Sequence, residues 1–204
     1  KGAGPEAQKR AAELAAFLLE ARTFTEPLLG KAPDVPLRIV SVRRGAGFAS
    51  GGTFLIDEGV FRRAKLDSVT AQSLAESVVK MWLGDAALVT DDGSGVIREG
   101  LSRHIASNFI ESKFGKDIAD VERLRHRTAY AGVARRDSPL ASVAPLDDYY
   151  FAAVANKGSM YWRLMERKLG RDAFYGGLRA QVQTGRITLA DLRAAFSSQK
   201  EFSA

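Results

Sequence analysis

The spacing of apolar residues changes character near Asp67. Before it, short extended runs follow one helical stretch; after it, helical spacing continues to the end of the chain. Residues 6–22 are rich in Ala, Leu and Glu, and Ala15, Leu18 and Leu19 give them an apolar stripe. Pro27-Leu28-Leu29-Gly30 reads as a helix stop, and Pro33 and Pro36 mark an extended connection. The β-branched run 37–42 predicts a strand, Gly45-Ala46-Gly47-Phe48-Ala49-Ser50-Gly51-Gly52 a flexible loop, and 53–56 a second strand. Residues 69–83 then predict a helix with Leu74, Val78, Met81 and Trp82 at core spacing. Asp91-Asp92-Gly93-Ser94-Gly95 reads as a turn. Further helices are expected over 96–113, 117–134, 147–169, 171–184 and 188–197, the last capped by Thr188. A loop bounded by Ser138-Pro139 and Pro145 interrupts them. The fold class expected is α+β with helices dominant, a small β element followed by a helical bundle. We read 1–204 as one domain, 1–66 supplying a helix and the β part and 67–204 the helical part.

Composition changes this picture little. Hydrophobic residues make up 46% and charged residues 26% of the 204 positions, enough to bury a substantial core. No apolar run approaches the ~18 residues of a membrane-spanning helix, and no leader resembles a signal peptide. The chain opens on Lys1 rather than Met, which predicts a piece of a longer protein. With no cysteine, disulfides and thiolate metal sites are excluded and the compartment is left open. The net charge of +6 admits an anionic partner. Yet the densest basic stretch (Arg123, Arg125, Arg127, Arg135, Arg136) has only Tyr130 as an interleaved aromatic, so a solvated helix face is expected and no nucleic acid.

Several motifs are excluded on their own chemistry. The Gly-rich loop lacks the G-K-[ST] ending of a P-loop and leads into a strand rather than a helix N-terminus. Ser50 and Ser94 lack the nucleophile-elbow context. Asp91-Asp92-Gly93 does not continue into a calcium loop. The two histidines, His104 and His126, fall on different predicted helices and read as ordinary, partly exposed side chains.

One segment carries more: Glu76-Ser77-Val78-Val79-Lys80-Met81-Trp82-Leu83-Gly84, followed after eighteen residues beyond Lys80 by Glu99-Gly100. Gluzincin peptidases carry H-E-x-x-H on one helix, two histidines binding zinc and the Glu acting as general base. With its Trp, its Gly and its later Glu-Gly pair, the segment resembles the alanyl-aminopeptidase family of zinc metallopeptidases, whose pattern is H-E-x-x-H-x-W-x-G. The resemblance extends from about residue 6 to 198. Leu29-Gly30-Lys31-Ala32-Pro33 stands where the family has F-G-x-x-P, and Gly47-Phe48-Ala49-Ser50-Gly51 where it has the substrate-gripping G-A-M-E-N loop. Ala155-Asn156-Lys157-Gly158 resembles Y-x-K-G, and Leu169-Gly170-Arg171-Asp172-Ala173-Phe174 and Thr188-Leu189-Ala190-Asp191-Leu192 resemble two later segments. The implied fold is the thermolysin-like catalytic domain.

Residue by residue, the resemblance implies a degenerate site. Glu76 and Lys80 stand for the two His ligands, Ser77 for the general base and Ala155 for the oxyanion tyrosine; only Glu99, the third ligand, matches. One carboxylate does not make a catalytic zinc site, and a serine does not serve as its base. No metal is therefore expected here, although the family uses zinc. The expectation is a non-catalytic, metallopeptidase-like domain that binds a peptide or a neighbouring domain of its parent, with Gly47, Phe48, Ala49, Ser50 and Gly51 as candidate peptide-binding loop. The alternatives are a zinc-dependent aminopeptidase with a rearranged site, activity residing elsewhere in the parent protein, or anion binding through the basic surface. Within the site, the Lys80 ammonium is expected where zinc would stand, held between Glu76 and Glu99.

Overall fold

The computed structural model describes residues 4–44 and 47–197. Gly45 and Ala46 of the expected loop, and residue 198 at the end of the expected resemblance, lie outside them. The first helix, α1 (Pro5–Leu29), begins with Pro at its first turn, where no backbone N–H is needed. It runs about two turns past the expected end and stops at Gly30, whose φ of 98° suits glycine. Pro27 falls in the last turn of the helix, while burial of Thr25, Leu28 and Leu29 favours its continuation and the Thr25 hydroxyl donates to the Ala21 carbonyl. The buried stripe of α1 is Leu14, Phe17, Leu18 and Ala21; Ala15 and Leu19 face outward. Of the expected stripe only Leu18 is in the core.

A three-stranded sheet follows. Strand β1 (Arg38–Val42) pairs in parallel with β3 (Thr53–Asp57), and the two-residue β2 (Ala49–Ser50) pairs antiparallel with β3. The expected flexible loop thus contains a strand. Gly51 and Gly52, with φ of 53° and 73°, form the two-residue hairpin turn between Ser50 and Thr53. Phe54 and Ile56 send one face of β3 into the core.

The remaining chain is helical: α2 (Ser68–Val79), α3 (Ser102–Phe114), α4 (Lys116–Ala131), α5 (Gly158–Leu169), α6 (Arg171–Gln183) and α7 (Leu189–Ser197). Two short strands, β4 (Leu88–Val89) and β5 (Arg186–Ile187), pair in parallel. Two stretches expected as plain α-helix are wound as π-helix: Val96–Leu101 leads into α3 and Ala152–Lys157 into α5. Wider turns of this kind are rare and concentrate at functional sites. Thr188 caps α7 as expected, its hydroxyl accepting from the Asp191 amide at 3.0 Å while the Asp191 carboxylate accepts from the Thr188 amide at 3.1 Å. One apolar core joins Leu14 and Phe54 to Trp82, Trp162 and Phe174, so the sheet and the helices share an interior. The architecture is the helix-dominated α+β fold expected.

Candidate functional site

Helix α2 starts where Asp67 accepts from the Thr70 amide at 2.8 Å, an N-cap. Its Leu74 and Val78, with Met81 and Trp82 just beyond its end, are buried. The Trp82 indole N–H donates to the Gly30 carbonyl at 2.8 Å and fastens the end of α2 to the end of α1. Gly84 has φ 146°, and a Cβ there would stand 2.9 Å from the Arg98 guanidinium. The Trp and Gly of the motif therefore have packing roles that need no metal.

Two further glycines fix the opposite wall. A Cβ on Gly100 would lie 2.6 Å from the Val154 carbonyl oxygen and 3.0 Å from the Gly158 backbone. A Cβ on Gly158 would lie 3.2 Å from the Gly100 Cα. The two π-helical segments thus cross with backbone against backbone, and the Glu-Gly and Lys-Gly pairs supply the absent side chains. The Trp162 indole takes the Val96 carbonyl at 2.8 Å in the same junction. This crossing sets Glu99 on one segment and Ala155 and Asn156 on the other.

Within this frame two ion pairs form. The Lys80 ammonium donates to Glu99 at 2.6 Å, and the Arg98 guanidinium lies 3.8 Å from the other Glu99 oxygen. Glu76 does not share Lys80. Its carboxylate is gripped at both oxygens by Arg103 of α3, at 2.8 and 3.1 Å, and accepts from the Gln72 amide at 3.0 Å. Arg103 also donates to the Asn156 side chain. The single bridge expected around Lys80 is two pairs. A guanidinium fork matches both carboxylate oxygens at once, which a lysine ammonium does not, and Lys80 lies past the last residue of α2 as its C-cap. Arg103, Asn156 and Gln72 were missed by motif reading. A signal existed for Arg103, which stands four residues after Glu99 and so on its side of a helix.

Ser77 turns away from both pairs: its hydroxyl donates to the Ser73 carbonyl at 3.0 Å, and it lines a groove of about 330 Å3. Gly47 and Phe48 form the other wall with β3, so two parts of the expected site do meet there. Of the other loop residues, Ala49 and Ser50 are in β2, and the Gly51 amide donates to the Asp85 carboxylate at 2.9 Å, tying the hairpin to the turn after α2. Ala155 is 1% exposed and offers no hydroxyl. A phenol close to Glu99 is that of Tyr150, packed over Gly95; burial and the Glu99 charge raise its pKa.

Of the two histidines, expected as ordinary, partly exposed side chains, His126 is partly exposed and His104 is not. His104 is buried at 3% exposure, with Nε2 2.6 Å from Glu166, and burial lowers its pKa. His126 is half-buried; burial and the nearby Arg103 charge lower its pKa to about 4. Among the described residues, no three His, Cys, Asp or Glu side chains cluster as metal ligands. At the positions that carry ligands in the resemblance, one side chain is an ammonium with no lone pair to give, and both carboxylates are engaged by cations. This donor set does not fit zinc, which takes three protein ligands and keeps an open position.

No protein-family model matches the chain, and no curated protein matches it. Solved structures do. A two-domain M1 zinc metallopeptidase mutant bound to L-tryptophan matches with a TM-score of 0.65 and 18% identity, over 88% of this chain and 40% of the other. A mutant M1 zinc metallopeptidase from Deinococcus radiodurans bound to a Tyr-Ser-Ala substrate matches with a TM-score of 0.65 and 18% identity, over 89% and 40%. The M1 zinc metallopeptidase from the same organism matches with a TM-score of 0.63 and 18% identity, over 98% and 42%. The chain spans about two fifths of the length of these structures. At this identity the likeness is one of fold: the chain is folded like part of an M1 zinc metallopeptidase.

Proposed function

We propose that this chain is a metallopeptidase-like domain that holds an extended peptide without a metal and without hydrolysing it. The observation that carries the reading is the pairing of Glu76 with Arg103 and of Lys80 with Glu99. These four side chains supply the compensating charges that a metal and its ligands would otherwise supply to one another. Opening either pair to admit zinc would leave a cation without its partner in a partly desolvated place. Ser77, at the position that carries the general base in the resemblance, is hydrogen-bonded to its own helix, which supports a reading without peptide hydrolysis.

The groove between Phe48 and α2 supports peptide binding. It combines apolar walls (Phe48, Val69, Leu74) with the hydroxyls of Thr70, Ser73 and Ser77, a mixture suited to side chains and backbone of an extended segment. Phe48 and Val69 are exposed, at 61% and 50%. The test is titration of a set of short unstructured peptides against the wild type and against Ser77→Trp, which fills the groove. Saturable binding lost in Ser77→Trp, with every peptide intact by mass spectrometry after incubation with zinc, is the expected result. Zinc-dependent cleavage would establish the alternative, a zinc aminopeptidase with a rearranged site. A scaffolding role has its own observation: Ile118, Val121 and Leu124 form an exposed apolar stripe along α4, suited to a neighbouring part of the parent protein.

A further inference from the structure

A second concavity, of about 610 Å3, opens on the other helices, where α1, α3, α4, α5 and α6 meet. Arginines from three helices converge on it: Arg123 of α4, Arg163 and Arg167 of α5, and Arg171 of α6. Two of them are committed. Arg123 pairs with Glu111 at 2.5 Å and Asp120 at 3.0 Å, and Arg171 pairs with Glu166 at 3.1 Å. The Glu166 carboxylate is occupied further by His104 at 2.6 Å and the Asn108 amide at 2.9 Å.

Arg163 and Arg167 are not committed. Neither makes a hydrogen bond or an ion pair with any described residue, though they stand one helical turn apart, where like charges repel. Arg163 is half-buried, and burial with the neighbouring Arg123 and Arg167 charges lowers its pKa, against the opposing pull of Asp120 and Glu111. The lining carries four arginines against two glutamates, and Asp120, paired with Arg123, brings the surplus to one positive charge, with Arg163 and Arg167 as the cations left open. His104 adds none at neutral pH, because burial holds it in the neutral form. Arg163 is a half-buried guanidinium with no hydrogen-bonded partner, a state that an anion would relieve, and Arg167 is exposed at the mouth of the cleft one turn away. The two open guanidinium forks match the oxygens of a phosphoryl group. The volume exceeds what one phosphate needs and falls in the range of small-ligand pockets.

We propose that this cleft binds the phosphoryl groups of a small polyanion, with Arg163 and Arg167 as the principal contacts and Arg123 and Arg171 closing the ring of charge. The phosphoryl groups could come from an inorganic polyphosphate or from the phosphate end of a nucleotide, and Phe24 at the cleft offers an apolar face that only the nucleotide would use.

The test is calorimetric titration of the purified chain with inorganic pyrophosphate and, separately, with ADP, at about 150 mM salt, where diffuse surface attraction is largely screened. Saturable binding is expected, weakened about tenfold or more in Arg163→Gln/Arg167→Gln, the change of one order matching ~1.4 kcal/mol. The control Arg43→Gln/Arg62→Gln, on exposed arginines that pair with Glu58, should bind as the wild type does. Tighter binding of ADP than of pyrophosphate assigns the nucleotide source, and equal binding assigns the phosphoryl groups alone. Absence of saturable binding, or equal loss in the control pair, overturns the proposal. Both arginines lie partly or largely in solvent and hold nothing else in place, so the Gln pair should fold like the wild type, as circular dichroism will read.

Discussion

The crossing of the two π-helical segments and the charged cluster beside it obey different rules. At the crossing, Gly100 and Gly158 bring two backbones together, and the space left for a Cβ is less than contact distance. In the cluster beside it, Glu76 and Lys80 from α2 and its C-cap, Glu99 from one π-helical segment and Arg103 from α3 are side chains that satisfy one another. The first region is fixed by shape and has no chemically equivalent replacement. The second needs only balanced charge, so its residue types can change completely while the frame stays. A fold of the M1 metallopeptidase kind can therefore persist around a place whose donor set does not suit zinc.

The largest expected effect is on the frame. Gly100→Ala drives a methyl into the Val154 carbonyl and should destabilise by about 3 kcal/mol, read from urea denaturation. A near-neutral result would mean that the two segments can separate, and the contrast would fail. Next comes Glu76→Ala, which leaves the half-buried Arg103 with Asn156 alone and should cost about 2 kcal/mol. Smaller again is Lys80→Met, at about 1 kcal/mol, because Glu99 keeps Arg98 within 3.8 Å. Adding Glu99→Gln should restore most of that loss, and a double-mutant cycle without such coupling would deny that the pair matters.

The smallest effect concerns pH. Burial and Arg103 hold the folded-state pKa of His126 near 4, below its ordinary value of about 6.5. The stability linked to its neutral form is complete above about pH 6.5 and is lost as pH falls towards 4. His126→Gln should therefore flatten part of the fall in melting temperature between those limits, and an unchanged acid profile would place the acid sensitivity elsewhere.

The sequence revealed the helical part of the fold well because its signals are local: Leu74, Val78, Met81 and Trp82 repeat at helical spacing, and all four are buried. The strand Ala49–Ser50 was read as loop because composition outweighed the Gly51-Gly52 hairpin signal beside it. The π turns at Val96–Leu101 and Ala152–Lys157 were invisible, since one extra residue in a helical turn leaves the apolar pattern almost unchanged. In the candidate site, motif spacing located Glu76, Lys80 and Glu99 and brought Lys80 to Glu99, but the partner of Glu76, Arg103, lies on α3, a different element. The arginine cleft was less legible still, because Arg123 is far in sequence from Arg163, Arg167 and Arg171.

The most direct measurement is a zinc titration of the purified chain, by calorimetry and by melting with and without a chelator, for wild type and for Glu76→His/Ser77→Glu/Lys80→His. The account predicts that the wild type binds no stoichiometric zinc and melts cooperatively at the same temperature under both conditions, whereas the triple variant, with histidines at positions 76 and 80 and Glu99 kept, gains a zinc-dependent rise. Tight, stoichiometric zinc in the wild type, with a melting temperature that a chelator lowers, would contradict it.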